Sequence, residues 1–299
     1  MTMTSGALAS RRLARRRPAA VSCFVALCLF VAAKTHAVET VRIAPVINAP
    51  AGVAVHGSAE LHVGGTSTIR GLDGTVLTTK KIASADREEY VDTTLARENG
   101  SSRFRRVYGR VIHEEESGNT LGVMNGRSIL FSLKGRNVTV TPDSGPPLTM
   151  DETQGLIELA QRALRVEVVN LCIAPYALTV GASWTVPVAS LADCYDDLGH
   201  VVKTIPGRAT LRAIESRDGH RVAVIELSFV RLIDTMGEVH FDRVADEAIT
   251  SKIEVTLDNP IKWRRLTLTT LSGVSHPKGP TNPSVTIALQ ATETLISAP

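Results

Sequence analysis

The residues most able to do chemistry gather late in the chain, in the run Asp193-Cys194-Tyr195-Asp196-Asp197-Leu198-Gly199-His200. Asp193, Asp196, Asp197 and His200 are oxygen and nitrogen donors of the kind that hold a cation, and the same spacing also suits a polar loop or a capped short helix. A second candidate starts at His113-Glu114-Glu115-Glu116-Ser117. A zinc helix needs a second histidine where Ser117 stands, so that both rings share one helical face, and the flanking residues read as strand and loop. The chain has no G-x-S-x-G around a serine, no G-x-G-x-x-G, no G-K-[ST] loop and no calcium loop of alternating acids. Seven histidines from His56 to His276 are scattered singly. A Ser-His-Asp set is defined by geometry rather than spacing, so an exported hydrolase with a spatially assembled site stays open as the alternative reading. No cofactor is expected, and neither a catalytic residue nor a metal ligand is assigned.

Cys172 and Cys194 are the other reactive pair. They are the two cysteines left once residues 1–37 are set aside, and in an oxidising compartment two thiols allow one intramolecular disulfide. The alternative is a pair of buried thiols acting as small apolar side chains.

Residues 1–37 read as a secretory signal peptide: Arg11, Arg12, Arg15, Arg16 and Arg17, an apolar run from Ala19 to Ala33, and a small residue at Ala37. The run falls short of the roughly 20 residues that span a bilayer, so cleavage near Ala37 is favoured over a retained anchor. Six of the 33 basic residues lie in this leader and none of the 30 acids does. The remainder therefore carries 27 basic and 30 acidic residues, a net of −3 where the whole chain carries +3. That balance excludes a basic nucleic-acid face as the main feature. Aromatics at 4% argue against a platform of stacked rings for sugars.

The elements that must position these groups are mostly strands. Thr149 to Pro187 holds the one convincing helix, because Leu156, Ile157, Ala160, Ala163 and Leu164 recur at helical spacing. Thr149 with Glu152, or Asp151 with Gln154, makes its capping box. A β-branched run from Val166 predicts a strand directly afterwards. Before the helix, 38–57 reads as an extended arm or linker and 58–148 as a β half. The glycines from Gly64 to Gly74 predict turns, and Glu88–Glu98 pairs with Ser102–His113 across Asn99-Gly100. In that hairpin Arg97, Arg103, Arg105, Arg106 and Arg110 face Glu88, Glu89, Asp92 and Glu98, which reads as a solvated face of cross-strand ion pairs rather than an anion site. Segment 149–187 is the central helix and connection, and 188–299 is a second β half with a hairpin at Asp218-Gly219. The predicted class is mostly β with one central helix (α+β), an antiparallel curved sheet or half-barrel built from hairpins. The strand Val222–Ile233, apolar on both faces, is expected to lie under that helix.

The pieces RRVYGRVIHEE, SLKGRNVTV, YALTVGASWTVP and RATLRAIESRDGHRVAVIEL resemble segments of exported bacterial proteins of unknown function, over roughly Glu88 to Phe229. The resemblance implies an envelope location and supplies no catalytic residue. In architecture alone the pattern is similar to the half-barrels of lipoprotein carriers. These readings together lead to a non-enzymatic exported envelope protein, periplasmic or extracellular. It would be a scaffold or an apolar-ligand-binding β domain whose partner is an apolar ligand or an envelope protein, with neither nucleic acid nor a transmembrane span in the mature chain.

Overall fold

Alternation of buried and exposed residues runs through long antiparallel strands joined by tight turns, and the sheet they make stays open. The computed structural model describes residues 40–45, 49–98, 101–115, 118–134, 137–163, 166–195, 199–236, 239–276 and 283–298. In chain order the first-half strands are β1 (Thr40–Val41), β2 (Ala54–Arg70), β3 (Val76–Glu98), β4 (Ser101–Glu115), β5 (Gly118–Leu121), β6 (Ser128–Lys134) and β7 (Asn137–Ser144). The helices α1 (Met150–Ala163) and α2 (Val166–Leu171) come next, followed by β8 (Leu178–Thr179), β9 (Ser183–Val186) and α3 (Val188–Cys194). The chain ends with β10 (His200–Thr204), β11 (Gly207–Arg217), β12 (His220–Met236), β13 (Val239–Thr256), β14 (Trp263–Ser275) and β15 (Ser284–Ala298).

The main sheet has the order β7-β6-β4-β3-β2-β15-β14-β13-β12-β11-β9, with β10 beside β12 and β5 beside β4. β1 and β8 form a separate small ladder. The last strand, β15, pairs along nearly the whole of β2, so the two β halves share one sheet and Val38–Pro299 is one compact unit. One face can be followed across the sheet by register, through Ile225, Ile253, Arg265, Leu295, Ala59, Glu88 and Val111. The helices lie on this face.

α1 begins where the sequence places it. The Glu152 amide donates to Thr149 Oγ1 at 3.2 Å and the Thr149 amide donates to Glu152 Oε2 at 2.6 Å, so Thr149 rather than Asp151 makes the capping box. Leu156 and Ala160, 5% and 0% exposed, pack on Phe104, Tyr108, Ile129, Phe131 and Val140 of β4, β6 and β7. Leu164 lies outside the described residues.

Three expectations are corrected. The β-branched run after Val166 forms the short helix α2, because Val169, Cys172 and Ile173 gain a core with Leu191, Ile225 and Ile253 that outweighs their weak helix propensity. β12 accordingly lies under α2 and α3, and α1 covers the first-half strands instead. Gly64 and Gly65 sit inside β2 rather than in a turn. A Cβ on Gly65 would stand 2.2 Å from the Ala288 carbonyl oxygen of β15, so glycine there permits close approach of two backbones. The 38–57 stretch contributes Val41 and Ile43 to the core under α2, and β2 begins at Ala54.

The turn at Asp218-Gly219 has the positive φ values that the residue pair foretold, 50° and 79°. Asn99-Gly100 falls outside the described residues, and the strands on either side of it pair from Glu98 and Ser101 onward.

Candidate functional site

Of the polar cluster singled out by residue type, His200 is the member whose side chain is described. His200 opens β10 and its Nδ1 lies 2.8 Å from Asp234 of β12, with both side chains exposed. The Asp193 side chain and the whole of Asp196 and Asp197 lie outside the described residues, as does the Cys194 side chain. Cys172 is 1% exposed and shares a core with Leu191 and Tyr195, the residues that bracket Cys194 on α3 and just beyond it. His113 is in a strand, as expected. Its Nδ1 is hydrogen-bonded to Asp86 and its Nε2 stands 2.9 Å from Glu115, which raise its pKa above the usual imidazole value. Among the described residues no three His, Cys, Asp or Glu side chains are placed to hold a metal ion.

Two ion-pair nests built on buried arginines lie on the helix-covered face, and neither was singled out from the sequence. In the first, Arg106 is 1% exposed and grips Asp92 through two bonds of 2.7 Å, Nε to Oδ1 and Nη2 to Oδ2. Its guanidinium carbon lies 3.5 Å from the Tyr90 ring centre, and the Tyr108 ring meets Tyr90 edge-on at 6.5 Å. Tyr90 can lie flat because its cross-strand neighbour is Gly57, where a Cβ would stand 2.1 Å from the ring. Burial acts to lower the Arg106 pKa, but Asp92 and Tyr90 outweigh it and hold the guanidinium well above its ordinary range. Burial pushes the Tyr108 hydroxyl up to about 12, with the Arg106 charge opposing the shift. Glu88, one ladder step away, is also raised by burial, with Arg106 opposing the shift.

The second nest is at the cross-strand pair Arg231 and Glu247, 2% and 0% exposed, with Nε donating to Oε2 at 2.5 Å. Arg231 Nη1 also donates to the Tyr195 carbonyl oxygen at 3.3 Å. Arg265 adds a guanidinium 4.9 Å from the Tyr195 ring and a 3.0 Å bond to Glu293.

In both nests the arginine is already bound to a carboxylate and stacked on rings, so its chemistry is spent inside the protein. The signal that could have found the first is the alternation Phe104, Arg106, Tyr108, which puts Arg106 at an inward position while Arg103, Arg105 and Arg110 point out.

The opposite face of the sheet carries an open groove of about 800 Å³ over β2, β3, β4, β5, β14 and β15. Small and apolar side chains such as Ala83, Ala85, Ala288 and Leu289 line it together with the polar His62, Thr66, Glu114, Asn119 and Gln290. Such a lining offers hydrogen bonds along a wide, shallow surface and little apolar enclosure. The histidine side-chain bonds seen among the described residues run to Glu60, Asp86, Glu115, Asp234, Asp258, Asp242 and Thr235, and none of these partners is a serine or cysteine.

Fold and sites together define a large, open, antiparallel β protein with helices on one face. No family model matches the chain, and no curated protein does. Among solved structures, a chain described as "Asymmetric conductivity of engineered proteins" is similar at 9% identity and a TM-score of 0.24, covering 81% of this chain and 100% of that one. Two variants of Rh. blastica porin cover the same shares at 8% and 10% identity, each with a TM-score of 0.24. Likeness at this level says nothing about what this chain does. No helix among the described residues is long and apolar enough to cross a membrane.

Proposed function

We propose that this is a non-enzymatic exported envelope protein whose sheet acts as a scaffold and presents its uncovered face for binding. The observation that carries the reading is the division of labour between the faces. Under the helices the apolar side chains pack into continuous cores, and the buried arginines are consumed by their own carboxylates. A feature accessible on the other face is the open, shallow groove, lined by apolar and polar side chains alike. This favours the scaffold over a carrier of apolar ligands, which would need an apolar cavity large enough to enclose one.

Export rests on the leader-like residues 1–37. Protein isolated from the envelope fraction is expected to begin near Val38 on N-terminal sequencing, and a sequence starting at Met1 or Met3 would refute export by cleavage. The structure forms no disulfide at Cys172, and a bridge to Cys194 in the exported protein belongs to the same proposal. Cys172 sits in the core between α2 and α3, whose second member carries Cys194, so a bridge would tie the two helices together. Closing a loop of about 20 residues contributes roughly 3 kcal/mol through the unfolded chain. Thiol titration of the unfolded, non-reduced mature protein is expected to find no free thiol; two would exclude the bridge.

A further inference from the structure

We infer that the tip of the β2–β3 hairpin, from Arg70 to Lys81, seats in the surface of an anionic lipid bilayer. The turn at this tip is fixed by its own residues. Asp73 Oδ1 accepts hydrogen bonds from the Thr75 amide at 3.0 Å and the Thr75 hydroxyl at 2.6 Å, and the Gly71 amide donates to the Thr75 carbonyl oxygen at 2.8 Å. Gly74 supplies a φ of 80°, and Arg70 Nη1 donates to its carbonyl oxygen at 3.1 Å. This ordered turn carries apolar side chains into water: Leu72 is 71% exposed, Val76 53% and Leu77 60%. A lone exposed leucine is ordinary on a protein surface, but three large apolar residues within six positions at a hairpin end form a patch that calls for a partner. The patch is preformed, so seating it orders little further chain.

The partner is a surface rather than a strand, and charge selects the kind of surface. β4 reaches along β3 only to the pair Ser84 and Glu115, so the hairpin end runs on past it. A register shift beside Arg70 leaves Leu77 out of the β2–β3 ladder, and such a bulge discourages a further strand from adding to this edge. From Arg70 to Ile82 the chain carries Arg70, Lys80 and Lys81 against the single acid Asp73, whereas everything beyond residue 37 sums to −3. Asp73 is occupied by Thr75, while Lys80 and Lys81 are exposed and pair with no acid among the described residues. Lys80 lies four residues up the strand from Val76, about 13 Å at the rise of a strand. With Leu72, Val76 and Leu77 at the boundary of the acyl chains, the lysine stems cross the headgroup layer and bring their ammonium groups to lipid phosphates. A neutral apolar surface would use the leucines and leave these cations without a counterpart; an anionic bilayer uses both. The inference goes beyond the scaffold reading and holds whatever the groove binds. A tip seated in this way encloses no single lipid.

Co-sedimentation of the purified protein with lipid vesicles tests the inference. Binding is expected to vesicles of phosphatidylcholine and phosphatidylglycerol in equal parts, and to be weaker by about tenfold or more on phosphatidylcholine alone. Lys80→Gln combined with Lys81→Gln is expected to weaken binding to the anionic vesicles by about tenfold or more as well. Leu72→Ser combined with Leu77→Ser is expected to abolish it, with the circular dichroism spectrum and melting temperature unchanged because both side chains are exposed. Leu72→Trp places an indole at the tip, whose emission is expected to shift to the blue and to be quenched by brominated acyl chains when vesicles are added, and to stay unmoved by inorganic phosphate alone. Equal binding to neutral and anionic vesicles overturns the inference, as does anionic binding that either double variant retains in full, or a Leu72→Trp emission that vesicles leave unchanged. Absence of binding to both kinds of vesicle overturns it too, and points to a protein as the occupant of the tip.

Discussion

Asp92→Ala is expected to destabilise the protein by about 3–5 kcal/mol, the cost of leaving one partner of a buried pair uncompensated. Arg106 is 1% exposed and both of its bonds to a carboxylate are to Asp92, at 2.7 Å each. It is held from the side by the Tyr90 ring, which is pinned in turn against Gly57. For a domain of this size the loss corresponds to a melting temperature lower by roughly 10 °C. The double variant Asp92→Leu with Arg106→Met removes both charges and should recover most of the loss, since an apolar replacement of similar volume avoids the desolvation penalty. Thermal unfolding followed by circular dichroism distinguishes the cases. An Asp92→Ala variant that melts with the unaltered protein would mean that Arg106 is solvated.

Glu247→Ala is expected to cost a similar amount, about 3–5 kcal/mol, for the same reason in the other half of the sheet. Glu247 is 0% exposed and meets Arg231, 2% exposed, across the β12–β13 ladder. After truncation Arg231 keeps its bond to the Tyr195 carbonyl oxygen but loses the carboxylate it faces across the ladder. Tyr195 follows directly on α3 and its ring packs on Phe229 at 5.1 Å. The damage should therefore spread to the α3 end of the core, and amide exchange is expected to speed up at Leu191 and Tyr195 before it does at α1. Uniform acceleration across the sheet, or none, would argue against a local nest. Because the two nests are on strands separated by β2, β15 and β14, their effects should add in a combined variant.

Much of the ladder was legible because period-two alternation and turn pairs are local. Asp218-Gly219 needed positive φ at both residues, and Thr149 with Glu152 needed only each other, so both could be read directly. α2 was not legible: Val166 to Leu171 favours a strand by propensity, and only contacts with Leu191, Ile225 and Ile253, far along the chain, decide otherwise. Gly65 was misread for a related reason, since the Ala288 carbonyl oxygen that requires it lies more than two hundred residues away. Arg106 looked like one surface arginine among five. Its partner Asp92 was in the same hairpin, but its depth depends on α1 closing over β4 and β6. The groove had no signature at all, because its lining is common strand residues gathered from six strands.

Native mass spectrometry of the protein purified from its own envelope tests the scaffold reading most directly, because it reports the processed chain and anything retained by it at once. The expected result is chains beginning near Val38 that carry no lipid-sized adduct, since the apolar faces are packed and the groove is open and shallow. A retained apolar ligand at stoichiometric level, or a chain still carrying residues 1–37, would contradict it.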